Sequence, residues 1–403
     1  MQKILLLSTI YPLPQKDNKG TPVCHFFTKE WIKQGYDVRV IHVQAVYPRF
    51  FYWLAKFNTK KIAAKTGAIV YTKRLNTVER YDMDSVPIMR IPVFKPIPHG
   101  KFLSKSVKKA VNYIVNECNN NDFIPDIIIG HFPNPQIELL SLLKKEFIGV
   151  KTCIVMHGEI EILKRVYNSR LPELLHDIDI WGFRSKTILE EFENSVSKIS
   201  KPFICYSGIP ESYITKFNTH TFERPLQKFV YVGLMIDRKY PDKVLDALYD
   251  VYGNTGFHLD YIGEGQQLAV IKEKINNYHC HNLVSLLGRI PRDKIKEEYD
   301  KADCMIMISR AEAYGLVYLE AMARGCITIA SKREGFDGVI VDGKNGFLCT
   351  AGDSQELASI IRRINELSPA ERQQISEEAI ATAKELTDEK AAKRYIDEVI
   401  ERM

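Results

Sequence analysis

Two glutamates eight residues apart, Glu312 and Glu320, lie in the stretch Ser309–Ala323. An apolar run predicted as a strand over Asp303–Ser309 ends there, and a helix is predicted over Gly315–Arg324. The loop between them sits at the carboxyl end of a strand, where open α/β sheets bind their ligands. The first N–H groups of a helix lack intrahelical partners, so those of Tyr314, Gly315 and Leu316 suit an anion, a diphosphate above all. Gly315 lets backbone approach closely because it has no Cβ. Two carboxylates at this spacing can flank one ligand, one beyond the phosphates and one behind them. A helix with a surface glutamate at each end accounts for the pair equally well, so the surroundings have to decide.

Those surroundings alternate between short apolar runs and helical patterns. Lys3–Ser8, Val23–Gln34 and Asp37–Val43 form one strand–helix–strand unit, which predicts a parallel sheet buried on both faces. Further strands are predicted at Ile127–Gly130, Lys151–Met156, Ile178–Phe183 and Pro202–Tyr206. The rhythm restarts near residue 228 with strands at Phe229–Gly233, His258–Ile262, Val284–Leu287, Asp303–Ser309 and Ile327–Ser331. Helices between them are predicted at Asp242–Tyr252, Gln266–Asn277 and Asp293–Lys301. Two such runs imply two doubly wound α/β domains, residues 1–212 and 222–384, joined through the polar stretch Glu211–Pro225. The charged helical end, about 385–403, is expected to cross back onto the first domain.

On these residues the chain resembles the family-4 retaining glycosyltransferases of GT-B fold, two Rossmann-like domains facing a central cleft. Glu312 and Glu320 match the E-x7-E motif of that family, and Glu320-Ala321-Met322-Ala323 followed by Gly325 matches what comes next. Tyr261–Gly265 is similar to its strand and G-x-G turn. Leu286–Ile290 is similar to the strand end whose backbone meets the base, which implies Gly288 and Ile290 as donor contacts. Asp342–Leu348 is similar to its late D-G-x-N-G-F-L turn. Val232–Lys239 resembles its V-G-R-x-x-x-x-K turn, which places Gly233 and Lys239 at the donor diphosphate. Leu234 stands where the usual arginine is, so one phosphate contact is missing or supplied by Arg238; a solvated basic turn is the alternative for Arg238 and Lys239. The likeness is near complete over residues 228–360. It implies that Glu312 touches the transferred sugar near the reacting carbon and that Glu320 binds the ribose hydroxyls.

The first half resembles the family less. Gln15–Thr21 occupies the glycine-rich loop after the first strand, and only Gly20 remains of the expected pair. Thr152–Gly158 is similar to the strand ending in a histidine that faces the donor sugar, which implies a catalytic-side role for His157. His131 is a candidate on the acceptor side. A histidine after a strand is also a common structural residue.

Bulk properties bound the rest. The chain has 403 residues and a formal net charge of +6, too mild and too dispersed to suggest nucleic acid. Its eight cysteines include no C-x-x-C pair, which reads as buried thiols in a reducing compartment. The apolar N-terminal run is short, and no run has spanning length, so a cytoplasmic protein is expected, in contact with a membrane only from its surface. One stretch stands apart. Residues 48–109 carry fourteen lysines and arginines against three acids, a net +11, with Phe50, Phe51, Tyr52, Trp53 and Phe57 at its start. Docking on an anionic membrane and packing of a helix with a solvated basic face are both consistent with it. Asp82-Met83-Asp84 and Asp177-Ile178-Asp179 are D-x-D triplets that follow no suitable donor-domain strand, so they read as surface acids and no metal is expected. The sequence therefore predicts transfer from a UDP- or GDP-sugar to a glycan or lipid-linked glycan, with no cofactor, in cell-surface polysaccharide or glycoconjugate synthesis. A GT-B sugar-nucleotide epimerase and a non-catalytic sugar-nucleotide-binding subunit are the alternatives. A nicotinamide dehydrogenase is disfavoured because no G-x-G-x-x-G follows Lys3–Ser8.

Overall fold

The computed structural model describes residues 1–14, 22–53, 71, 73–218 and 220–403. The chain forms two compact units. Unit 1 comprises Met1–Arg184, Ile188–Cys205 and Ala391–Met403; unit 2 comprises Ser185–Thr187 and Tyr206–Lys390. Gly20, Lys56, Phe57, Lys60, Lys61 and Lys65 lie outside the described residues.

Unit 1 is built on an eight-stranded sheet. Its strands are β1 (Lys3–Ser8), β2 (Asp37–Val46), β3 (Glu79–Met83), β4 (Val86–Phe94), β5 (Ile127–His131), β6 (Lys151–Met156), β7 (Ile180–Phe183) and β8 (Phe203–Ile204). They lie in the order β3-β4-β2-β1-β5-β6-β7-β8, and every pair except β3–β4 is parallel. All five residues of β5 are buried, as a strand covered on both faces requires. The β3–β4 hairpin falls inside the basic stretch, where the alternating rhythm predicts no strand. Its two prolines, Pro87 and Pro92, conceal β4. Pro92 lies beyond the five pairs with β3, which run from Glu79↔Arg90 to Met83↔Val86. The exposed charges of Glu79, Arg80 and Asp82 conceal β3, and they suit an edge strand that must not recruit another.

The chain end completes this unit. Tyr395, Ile396 and Val399, on the helix Asp388–Ile400, are buried in the core cluster that also holds Ile4, Phe27, Trp31 and Val155. Trp31 Nε1 donates to the carbonyl of Ala392 at 2.9 Å, and the Tyr395 ring packs edge-on against Phe27 and Trp31 at 5.0 and 5.1 Å.

Unit 2 is built on a six-stranded parallel sheet: β9 (Lys228–Val232), β10 (His258–Ile262), β11 (Val284–Gly288), β12 (Cys304–Ile306), β13 (Ile327–Ser331) and β14 (Phe347–Cys349). The order is β11-β10-β9-β12-β13-β14. Relative to the predicted Asp303–Ser309, β12 is shorter. Met307 still donates to Ile329, but the carbonyl of Ile308 turns to Gly352 N, and Ala311 at φ +54° curls the chain away from the sheet. The polar stretch Glu211–Pro225 is anchored to this unit: Tyr213 is buried, its hydroxyl donates to Arg292 O at 2.8 Å, and Arg324 donates to Tyr213 O at 3.1 Å.

All eight cysteines are free and buried. Among the described residues no helix is long and apolar enough to cross a membrane.

Ile396 has no solvent exposure. Ile396→Ala is therefore expected to destabilise unit 1 by about 2–5 kcal/mol, the usual cost of emptying a packed isoleucine site. Urea unfolding followed through Trp31 fluorescence measures it, and an unchanged midpoint would detach the chain end from this core.

Candidate active site

In unit 2 the chain moves outward from β9 through β10 to β11, then returns to lay β12 on the other side of β9. Loops leaving β9 and β12 therefore diverge from neighbouring strand ends. Such a switch point opens a crevice at the carboxyl edge of the sheet. The backbones beside it are closely packed. Gly233 N donates to Ile262 O at 3.0 Å, and Gly263 N donates to Gly288 O at 2.8 Å. A Cβ on Gly263 would stand 1.9 Å from Gly233 O, so no larger residue fits there. Gly233 and Gly288 thus meet through Gly263, and Ile290 follows, half-buried, two residues beyond β11.

Charges from the two diverging loops meet across the switch point. Lys239 Nζ lies 2.9 Å from Glu312 Oε2, and Arg238 Nη1 lies 3.8 Å from the same oxygen. Arg238 also donates to the carbonyls of Arg310 and Ala311, both at 3.2 Å, and Arg310 N donates back to Arg238 O at 2.7 Å. Leu234, at the position where the family resemblance expects arginine, is 58% exposed. The Glu312 loop is held from behind. Glu312 N donates to Glu334 Oε2 at 2.8 Å, and Gly335 N donates to Glu312 O at 2.8 Å. Burial pushes the Glu334 carboxyl up, against the backbone N–H groups of Glu312 and Ala311 that favour its ionised form.

The helix Leu316–Arg324 starts after Gly315, which has φ +88° and no side-chain cap. A Cβ on Gly315 would lie 2.4 Å from the Tyr318 ring. Tyr318 OH donates to Met307 O at 2.7 Å, which ties the helix start to the end of β12. Tyr314 is buried and its hydroxyl donates to Ser207 O at 2.9 Å; Leu316 is half-buried. Glu320 is 4% exposed, and Arg292 grips one of its oxygens twice, Nε at 2.9 Å and Nη2 at 2.6 Å from Oε1. Its Oε2 has no hydrogen-bond partner among the described residues. Burial raises the Glu320 carboxyl and the Arg292 charge opposes that rise. No sequence signal marks Arg292 or Glu334: each is one charged residue in a charged stretch, and only the fold brings them to the two glutamates.

Unit 1 sets its two histidines differently from each other. His131 is fully buried. Its Nδ1 shares a hydrogen bond with His157 Nε2 at 2.9 Å, and its Nε2 meets Tyr395 OH at 3.1 Å. Both ring nitrogens of His131 are engaged inside the unit, and it stands behind His157. Burial, with the Arg184 charge, pushes its pKa down to about 3, and burial and His131 push that of His157 well below the ordinary value. Both rings are neutral at pH 7. Phe132 stacks on His157 at 3.9 Å between ring centroids.

The basic stretch is less available than its count suggests. Arg80 pairs with Glu117 at 2.7 Å, Arg90 with Glu79 at 2.6 Å, and Arg74 donates to Tyr47 O at 3.3 Å. Tyr52 is buried and its hydroxyl accepts from Tyr47 N at 3.1 Å; Phe50 and Trp53 are 65% and 63% exposed. The two D-x-D triplets are engaged by protein groups. Asp84 pairs with His25 at 3.0 Å and Lys29 at 3.2 Å, Asp179 pairs with Lys144 at 2.8 Å, and Asp177 accepts from Ser141.

Residues 214–382 match the family described as Glycosyl transferases group 1. This span takes in most of unit 2. Over its full length the chain is 25% identical to the amylovoran biosynthesis glycosyltransferase AmsK of Erwinia amylovora, covering all of both proteins. It is also 25% identical to an uncharacterized glycosyltransferase of Methanocaldococcus jannaschii, over 72% of this chain and 78% of that one. The structure of Anabaena HepE in complex with UDP superposes with a TM-score of 0.68 at 18% identity, covering 100% of both chains. The fold is accordingly GT-B, and the matched span contains Lys239, Glu312 and Glu320.

The Arg292–Glu320 pair yields a stability test. Arg292→Leu leaves the Glu320 carboxylate buried without its partner, and unit 2 is expected to lose about 1–3 kcal/mol, allowing for the partly exposed arginine. The double variant with Glu320→Gln should recover part of that loss. A double-mutant cycle in urea checks it, and strict additivity would contradict the pairing.

Proposed function

We propose that the chain is a retaining glycosyltransferase that moves a sugar from a UDP- or GDP-sugar to a glycan or lipid-linked glycan acceptor in cell-surface polysaccharide or glycoconjugate synthesis. The observation that carries this reading is the Lys239–Glu312 pair across the β9/β12 switch point. In the transfer, the bond from the anomeric carbon to the diphosphate oxygen breaks and a bond to an acceptor hydroxyl oxygen forms. The hydroxyl proton leaves towards the departing diphosphate. Lys239, Arg238 and the uncapped start of Leu316–Arg324 face the negative charge that develops on that diphosphate, the kind of preorganised stabilisation that lowers such barriers most. They are proposed to do so without a metal.

Without donor, Lys239 and Glu312 neutralise each other. A bound diphosphate competes for Lys239, and Glu312 is then released towards the sugar. Glu320 Oε2 is proposed to accept from a ribose hydroxyl while Arg292 fixes the other oxygen.

Glu312→Ala should therefore lower turnover by about a hundredfold or more while binding the bare nucleoside diphosphate at least as tightly as the wild type, because Lys239 is freed. Lys239→Met should weaken that same binding by about tenfold or more. Turnover with UDP- and GDP-sugars, in the presence of EDTA, and calorimetry of UDP and GDP measure both. Near-normal transfer by Glu312→Ala, or an inverted anomeric product, would overturn the assignment. An epimerised donor would indicate the epimerase reading, and binding without transfer the binding subunit.

Exposed Phe50 and Trp53 beside the basic stretch favour a second element, docking on the cytoplasmic face of an anionic membrane through residues 48–109. Phe50→Ser with Trp53→Ser should reduce sedimentation with phosphatidylglycerol vesicles at low salt, and wild-type protein that ignores such vesicles would remove this element.

A further inference from the structure

Unit 1 has its own opening at the carboxyl edge of its sheet. Gln44 near the end of β2, Lys95 just after β4, Phe132 just after β5 and Glu159 after β6 line one cavity of about 150 Å³. This is the edge at which parallel sheets take ligands.

Two polar groups in it, Gln44 and Lys95, lack the partners that their chemistry calls for, and a carboxylate, Glu159, stands beside them. Gln44 is 1% exposed, and Arg90 Nε donates to its Oε1 at 2.7 Å, with a second guanidinium nitrogen on the same oxygen. An arginine only donates, so the carbonyl end of the amide must face Arg90 and the NH₂ end must face away. That Nε2 is buried and makes no hydrogen bond among the described residues. A buried donor left unpaired costs about 1–3 kcal/mol. Lys95 Nζ rests over the Phe102 ring at 4.8 Å and has no carboxylate within ion-pair distance among the described residues. Glu159 holds the left-handed position before the helix Ile160–Tyr167, at φ +61°, with its side chain exposed. Burial pushes the Lys95 pKa down while the Glu159 charge opposes it. On the far wall, Phe132 is the ring that stacks on His157.

We propose that this cavity receives the acceptor as a hydroxyl-bearing sugar unit with an anionic substituent, a carboxylate or a phosphate, gripped between Gln44 Nε2 and Lys95 Nζ. This rests on the transferase reading. Glu159 accepts from a sugar hydroxyl, and Phe132 offers its face to the ring beside His157. Gln44 and Lys95 then determine acceptor specificity: both donate, and among the described residues neither has an acceptor of its own.

The test is binding to the full chain, so it does not depend on transfer. Methyl glucoside and methyl galactoside, their uronates and their 6-phosphates are titrated by calorimetry. At least one anionic form should bind about tenfold or more tightly than its neutral parent, as a hydrogen bond and a charge contact added together allow. A uronate preference assigns a sugar acid, and a phosphate preference a phosphorylated sugar. Gln44→Glu keeps an oxygen for Arg90 but replaces the donor by a negative charge, and Lys95→Gln removes the cation. Each should abolish the preference while leaving affinity for UDP or GDP unchanged. Equal affinity for neutral and anionic forms, no binding of any of them, or a preference that survives both substitutions would overturn the proposal. Failure of the transferase reading appears separately, as an absence of nucleoside diphosphate binding in the wild type.

Discussion

In unit 2 the strand order forces β9 and β12 to be neighbours although seventy-one residues separate their ends, Val232 and Cys304 marking the intervening stretch. The chain goes out one way and returns the other, and the two strand ends must release their loops in opposite directions. Everything chemical in the unit follows from that gap. Lys239 arrives from one side of it and Glu312 from the other, and the interlocked backbones of Gly233, Gly263 and Gly288 keep the neighbouring strand ends from filling it.

Charge is then arranged by burial. Glu320 is almost fully enclosed, which is tolerable because Arg292 grips one of its oxygens; an enclosed carboxylate without a cation would neutralise or destabilise the fold. Glu312 is met by lysine and arginine together, and its backbone is fixed by Glu334 and Gly335. In unit 1 the same desolvation acts on bases, and it keeps the His131–His157 pair neutral. The Tyr395 hydroxyl from the chain end holds the inner ring of that pair, so the last helix contributes to the placement of His157 as well as to the core.

Much of this was readable from residue order. The apolar runs of β1, β5, β6, β9 and β13 are long enough and uniform enough to announce buried parallel strands, and the spacing of Glu312 and Glu320 places them on the loop and helix that follow β12. What escaped were features without local periodicity. The β3–β4 hairpin hides behind two prolines and an edge of charges. Arg292 and Glu334 act through contacts spanning twenty-two to twenty-eight residues, and a lone charged residue carries no mark of its partner. The partners of His131 were equally unmarked: His157 and Tyr395 occupy both of its nitrogens across 26 and 264 residues of sequence.

The proposed transfer requires the donor diphosphate to bind at the Lys239–Glu312 pair. A crystal structure of the chain soaked with UDP or GDP addresses it directly. The expected result is a diphosphate oxygen within hydrogen-bond distance of Lys239 Nζ, the Glu312 carboxylate displaced from that lysine, and the ribose hydroxyls at Glu320 Oε2. A nucleotide bound elsewhere in the protein, with Lys239 still paired to Glu312, would contradict it.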